Sequence, residues 1–161
     1  MWLAYSAGGR REKALEIRRA EPEDVAAIRA LVDVAYARYV PLIGKPPGPM
    51  LDDYAARIQD DLVFLFGTGA EFMAVLVLIE KDDHLLLDNI AVGPAAQGRG
   101  YGGRLIRFAE EEAKRRGFAE IRLYTHEVMR ENIGLYERFG FAVTHRAREA
   151  CYDRIYMNKK L

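Results

Sequence analysis

At 161 residues and 18.3 kDa the chain has the size of one domain, long enough to bury roughly two-thirds of the surface it exposes unfolded. Lys plus Arg and Asp plus Glu both number 24, and without a basic excess or an acidic tail nothing favours a nucleic-acid partner. The single cysteine, Cys151, excludes an internal disulfide and a multi-cysteine zinc site, and no apolar run approaches the ~18 residues of a membrane span, so a cytoplasmic protein is expected.

Residues 1–13 set Trp2, Leu3 and Tyr5 beside Gly8-Gly9-Arg10-Arg11. No long apolar core follows a basic start, so this is a loose extension rather than a targeting signal, ahead of a single domain over 14–161. Alternation predicts a strand at 15–19. Pro22, with Glu23 and Asp24 behind it, opens a helix whose core stripe is Val25, Ile28, Val32, Ala35 and Tyr39, and which stops before Pro41. Residues 41–50, with Pro41, Pro46, Pro47 and Pro49, read as a stiff loop and a candidate lid or pocket wall. A short helix over 51–59 follows.

Three strands, 62–66, 71–80 and 85–92, are joined by turns at Gly67-Thr68-Gly69 and Asp82-Asp83, which implies antiparallel pairing. After a glycine-dense loop comes a helix over 103–116, with Leu105, Ile106, Ala109 and Ala113 on its apolar face and Gly117 as its stop. A strand over 119–125 must lie parallel to the strand before that helix, because a helical crossover joins them. A helix over 130–139 ends at Gly140, and strands near 141–146 and 151–158 complete the chain. The elements define an α/β fold with a mixed, largely antiparallel sheet of six or seven strands and about four helices.

The loop from Gly93 to Gly103 is the most informative stretch. Glycines between a strand and a helix expose backbone N–H groups at the positive end of the helix dipole, a site for phosphate or pyrophosphate. A P-loop is excluded, since no Gly-Lys-Ser/Thr follows. Gly98, Gly100 and Gly103 satisfy a dinucleotide Gly-x-Gly-x-x-Gly, but antiparallel strands precede it and no acidic residue closes the next strand, where Glu120 stands at the beginning. Gln97-x-x-Gly100-x-Gly102 resembles the pyrophosphate-cradling motif A of the GNAT superfamily of acyl-CoA N-acyltransferases. Asn132-Ile133-Gly134-Leu135-Tyr136, followed by Gly140-Phe141, is similar to a second segment of that family, and the element order from Leu15 to Asn158 agrees with it.

The resemblance implies a GNAT fold with a splayed central parallel pair, acetyl-CoA as co-substrate, no metal, and direct transfer of acetyl to a primary amine in a ternary complex. It assigns the pyrophosphate to the amides of Gln97, Gly98, Arg99, Gly100, Tyr101, Gly102 and Gly103, with charge added by Arg99 and Arg104. Ile90, Ala91 and Val92 would offer main-chain groups to pantetheine, one N–H holding the oxyanion. Asn132 would contact the cofactor arm, Tyr136 would protonate the departing thiolate, and Asp88 would serve as base. Tyr36, Tyr39 and the 41–49 segment border the acceptor, a small-molecule or peptide amine that Glu127 could attract. His84 and His126 have no assigned role, and homodimerisation is consistent with the family. Two rivals remain: a non-catalytic acyl-CoA sensor and a nicotinamide-dependent oxidoreductase.

Overall fold

A computed structural model describes residues 3–5, 15–68 and 71–161. Within them, eight strands form one sheet: Leu3–Tyr5 (β1), Leu15–Arg19 (β2), Leu62–Thr68 (β3), Glu71–Glu80 (β4), Leu85–Val92 (β5), Glu120–His126 (β6), Ala142–Glu149 (β7) and Tyr152–Lys160 (β8). The helices are Val25–Tyr36 (α1), Val40–Ile43 (α2), Gly48–Leu51 (α3), Tyr54–Asp60 (α4), Tyr101–Arg115 (α5) and Arg130–Arg138 (α6). Strand order is β1-β2-β3-β4-β5-β6-β8-β7.

The middle strand β4 is apolar without alternation because helices cover both faces of the sheet. Ala74, Leu76 and Leu78 pack with Leu105, Ile106, Ala109 and Ala113 of α5; Val75 and Val77 pack on the other side with Ile28, Val32 and Ala35 of α1. Every neighbouring pair is antiparallel except β5 and β6, which α5 joins as a crossover. That parallel pairing covers only Leu85–Leu87 against Ile121–Leu123.

The pairing stops where β5 bulges. Leu87 faces Leu78 of β4 and Asn89 faces Val77, so Asp88 is an extra residue between them. The bulge resets the alternation: Leu85 and Leu87 lie in the α5-side core, whereas beyond it Ala91 lies in the α1-side core and Ile90 and Val92 pack toward α5. Beyond Asp88 the two central strands diverge and leave a wedge, as the family resemblance implies.

Several expectations are corrected in detail. Leu3–Tyr5 pairs with β2 as a strand where only a loose extension is expected; residues 1–2 and 6–14, the rest of that extension, lie outside the described residues, as does Gly69 of the expected turn. The segment 41–50 is not a plain loop. Helical turns run on past Tyr36, with a 3₁₀ turn at Ala37–Tyr39 and then α2, where Pro41 sits in the first turn and needs no N–H partner. The expected helix over 51–59 breaks at Asp52 and Asp53; the Asp53 side chain accepts from the Ala56 N–H at 3.1 Å and caps α4 instead. Among the described residues no helix is long and apolar enough to cross a membrane.

Candidate active site

The open edge of β5 has a definite polarity. The Gly93 N–H donates to the Met73 carbonyl of β4 at 2.8 Å, so by strand parity the main-chain groups of Ala91 and Asn89 also point to β4 and those of Ile90 and Val92 point into the wedge. Side chains take up the two carbonyls there. The Tyr36 hydroxyl lies 3.0 Å from the Ile90 oxygen and 2.6 Å from Asn89 Oδ1, sharing its one proton between them, and Gln97 Nε2 donates to the Val92 oxygen at 3.0 Å. What the wedge retains is the pair of N–H donors on Ile90 and Val92. Gln97, expected at the cofactor through its amide, thus also fastens the loop to the strand end by its side chain.

A recess below the glycine loop is lined by Ala91, Val92, Gln97, Gly98, Gly100, Tyr101, Gly102 and Gly103, and by Asn132, Leu135 and Tyr136 from α6. Gly100 takes φ +78° as it opens α5, a left-handed conformation for which glycine is the natural residue. Gly102 and Gly103 also carry a packing constraint: a Cβ there would stand 2.9 Å from Leu135 Cδ2 and 2.6 Å from Phe139 Cζ respectively. They let α6 press against the first turn of α5. Arg99 and Arg104 do not line the recess, and Arg104 lies 5.7 Å from the Tyr101 ring centroid. The cations on the wall are Arg38 and Arg138, which sequence reasoning missed.

A second cavity opens on the other side of the wedge, between β5, the start of β8, and the α2–α4 segment. Tyr36, Ile90, Asn132 and Tyr136 belong to the walls of both cavities. The Tyr136 hydroxyl has no hydrogen-bond partner among the described residues, and burial pushes its pKa well up, so it holds its proton. Asn132 Nδ2 faces the Met129 sulfur at 3.8 Å. Asp88 is largely desolvated, which raises its carboxyl above the usual range; Tyr124 donates to it at 3.3 Å, and burial pushes that phenol up to about 12.

Behind these groups a buried chain of bonds fixes the wedge: Asn89 Nδ2 donates to the Tyr54 hydroxyl at 3.1 Å, which donates to the Pro49 carbonyl at 2.7 Å. The expected wall residues of 41–49 are present as Ile43, Pro47, Gly48 and Pro49. Tyr39 borders the glycine-loop recess and Glu127 lies in neither cavity. His126 does line the second cavity; burial lowers its pKa and keeps it neutral near pH 7. Asn89 had a legible signal, a polar pair interrupting an apolar strand. Tyr124 and Arg154 had none, because their meeting depends on β8 lying between β6 and β7. Among the described residues no group of three or more His, Cys, Asp or Glu side chains could hold a metal ion.

A mixed sheet split beside a glycine loop, with a second cavity meeting the split, is the architecture of the acyltransferase class that the two motifs resemble. The chain belongs to the acetyltransferase (GNAT) family, whose model matches residues 26–141. An uncharacterised N-acetyltransferase of Bacillus subtilis strain 168, YvbK, is 28% identical over 103 residues, 63% of this chain and 64% of that protein; the match spans less than two thirds of the relative's length. The PaiA N-acetyltransferase of Thermoplasma acidophilum, solved in complex with coenzyme A, has a TM-score of 0.76 at 19% identity, covering 91% of this chain and 99% of that one. The ribosomal-protein-S18-alanine N-acetyltransferase of Escherichia coli has a TM-score of 0.75 at 24% identity over 91% and 93% of the two chains. A GNAT acetyltransferase of Elizabethkingia anophelis with acetyl-CoA bound has 0.66 at 20% over 91% and 98%. At such identities the likeness is one of fold.

Proposed function

We propose that the chain is an acetyl-CoA-dependent N-acetyltransferase that moves the acetyl group directly to a primary amine. The observation that carries this reading is the meeting of the two cavities at Tyr36, Ile90, Asn132 and Tyr136, beside the open N–H groups of β5. The T. acidophilum and E. anophelis relatives, with coenzyme A and acetyl-CoA bound, support the choice of donor.

The donor supplies an acetyl thioester; everything else falls to the chain. The amides of the loop from Gln97 to Gly103 cradle the pyrophosphate, and Arg138 on the same wall adds positive charge, whereas Arg38 there is paired with Glu131 at 3.0 Å. The N–H groups of Ile90 and Val92 pair with the pantetheine arm and hold the oxygen on which charge develops as the amine attacks. Asn132 orients the arm. Asp88, poised by its raised pKa, accepts the proton from the acceptor's ammonium, directly or through one water. As the carbon–sulfur bond breaks, the Tyr136 hydroxyl gives its proton to the sulfur, whose own proton affinity rises in the same dry surroundings.

The sensor reading leaves without a purpose a Tyr136 hydroxyl that lies in the walls of both cavities with no hydrogen-bond partner among the described residues. The nicotinamide reading fits poorly with a glycine loop that follows a run of antiparallel-paired strands, β1 to β5, instead of opening the first unit of a parallel sheet. The test is thiol release from acetyl-CoA with amine acceptors, with Tyr136→Phe alongside. The variant is expected to bind CoA normally and to lose about 10²-fold in kcat. Undiminished turnover removes Tyr136 as the acid, and absence of any stabilisation by CoA overturns the whole reading.

A further inference from the structure

Four charged side chains reach the acceptor-side cavity: Asp52, Arg57, Asp88 and Arg154. Two of them satisfy each other. Arg57 Nε lies 3.1 and 2.9 Å from the two Asp52 oxygens, and its Nη1 bonds Asp61 at 2.9 Å. One carboxylate and one guanidinium remain with bonding capacity facing the cavity. Asp88 has the Tyr124 hydroxyl as its hydrogen-bond neighbour. Arg154 bonds Glu149 through Nη1 at 3.0 Å, which leaves most of its five N–H donors for other partners.

The register fixes where these two groups stand. In the β6–β8 pair His126 faces Arg154 and Tyr124 faces Tyr156, so Tyr124 and Arg154 project from one face of the sheet. The guanidinium lies over the Tyr124 ring, 4.4 Å from its centroid, while the hydroxyl of that ring points to Asp88. A single phenol therefore separates an acid at the wedge from a cation nearer the β7–β8 turn.

We infer that the acceptor is a small amino acid, its primary amine at Asp88 and its carboxylate at Arg154; this rests on the acetyltransferase reading above. Glu149 occupies only one of the Arg154 donors; a carboxylate on the same molecule as the amine takes up the donors left over, and a plain amine leaves them without a partner. The roof of the cavity sets the size. Lys45 Nζ donates to the Ala150 carbonyl at 2.7 Å and lies 3.6 Å from the Tyr152 ring centroid, and the Tyr152 hydroxyl donates to the Pro46 carbonyl at 2.6 Å. These contacts join the segment before α3 to the β7–β8 turn, and a polypeptide leading away from its terminal amine would have to break them.

The experiment measures kcat/KM with saturating acetyl-CoA for the protein amino acids, each beside its decarboxylated amine and its amide. The best acid is expected to exceed both neutral-tailed analogues by at least about tenfold, because a site built to bond a group rejects the analogue lacking it. Arg154→Gln should bring that ratio close to one by raising KM for the acid, and Arg154→Lys should retain part of it. Thermal melts check that both variants fold. An amine or amide that matches the acid in the wild type, or a ratio unchanged in Arg154→Gln, overturns the inference while leaving an acetyltransferase. Acetyl-CoA binding with no turnover of any amino acid also overturns it alone. Failure to bind acetyl-CoA overturns the function it rests on.

Discussion

Asp88 is an extra residue in a strand, desolvated and beside a tyrosine, and each property follows from the bulge that puts it there. Its pKa is raised chiefly by burial, and the sign of the consequence can be worked out. Between the ordinary and the raised value the folded protein holds a proton that the unfolded chain has lost. The favourable contribution is therefore complete below the ordinary carboxyl value and lost as pH rises through the folded value. Asp88→Asn should melt higher than the wild type near pH ~8 and show no such gain near pH ~3, where both side chains are neutral. Its kcat/KM should fall by about 10²-fold, and the acidic limb of the wild-type pH–rate profile should disappear. A variant that loses the limb without gaining stability would mean that burial is not what raises the pKa. Asp88 and Tyr136 could be picked out from the sequence because each occupies a place in a motif or beside one. Arg154 and Tyr124 could not, since nothing local distinguishes an arginine and a tyrosine thirty residues apart that a strand insertion brings face to face.

For the elements, the glycine loop was legible as a phosphate cradle, but its glycines divide into two kinds. Gly100 needs its backbone conformation, with open space around the missing side chain; Gly103 needs its missing side chain, in an ordinary helical conformation against Phe139. Gly100→Ala should cost about 1–2 kcal/mol from the left-handed conformation alone. Gly103→Ala should cost about 1–3 kcal/mol from overpacking, reduced by alanine's better helix propensity. Only the second is relieved from across the helix pair. Phe139→Leu should recover part of the stability lost in Gly103→Ala and none of that lost in Gly100→Ala, as read from urea unfolding of the single and double variants. Additive effects in both pairs would show that the α5–α6 contact is not what requires Gly103. The segment 41–50 was misjudged for a related reason: proline forbids the interior of a helix but suits its first turn, and which applies depends on where the previous helix frays.

For the whole molecule, the sheet is continuous on one side of β5 and split on the other. The crossover through α5 made the parallel pair legible in the sequence, whereas its failure after three residues was not, because it depends on where β6 diverges from the bulged strand. The split sorts the amides of one strand by parity alone. Those of Asn89 and Ala91 point to β4, within the sheet; those of Ile90 and Val92 point into the wedge, where no strand of the described residues pairs with them. Hydrogen exchange followed residue by residue should therefore alternate along β5 in the free protein, fast at Ile90 and Val92 and slow at Asn89 and Ala91. Saturating acetyl-CoA adds global stability through binding to the folded state, which slows the amides that exchange through full unfolding by a common factor. Ile90 and Val92 should slow by much more than that factor, because the pantetheine amides replace the missing strand partner. If the cofactor slowed all four amides equally, the arm would not lie along this edge, and the N–H groups of β5 would not be the ones that stabilise the reacting carbonyl.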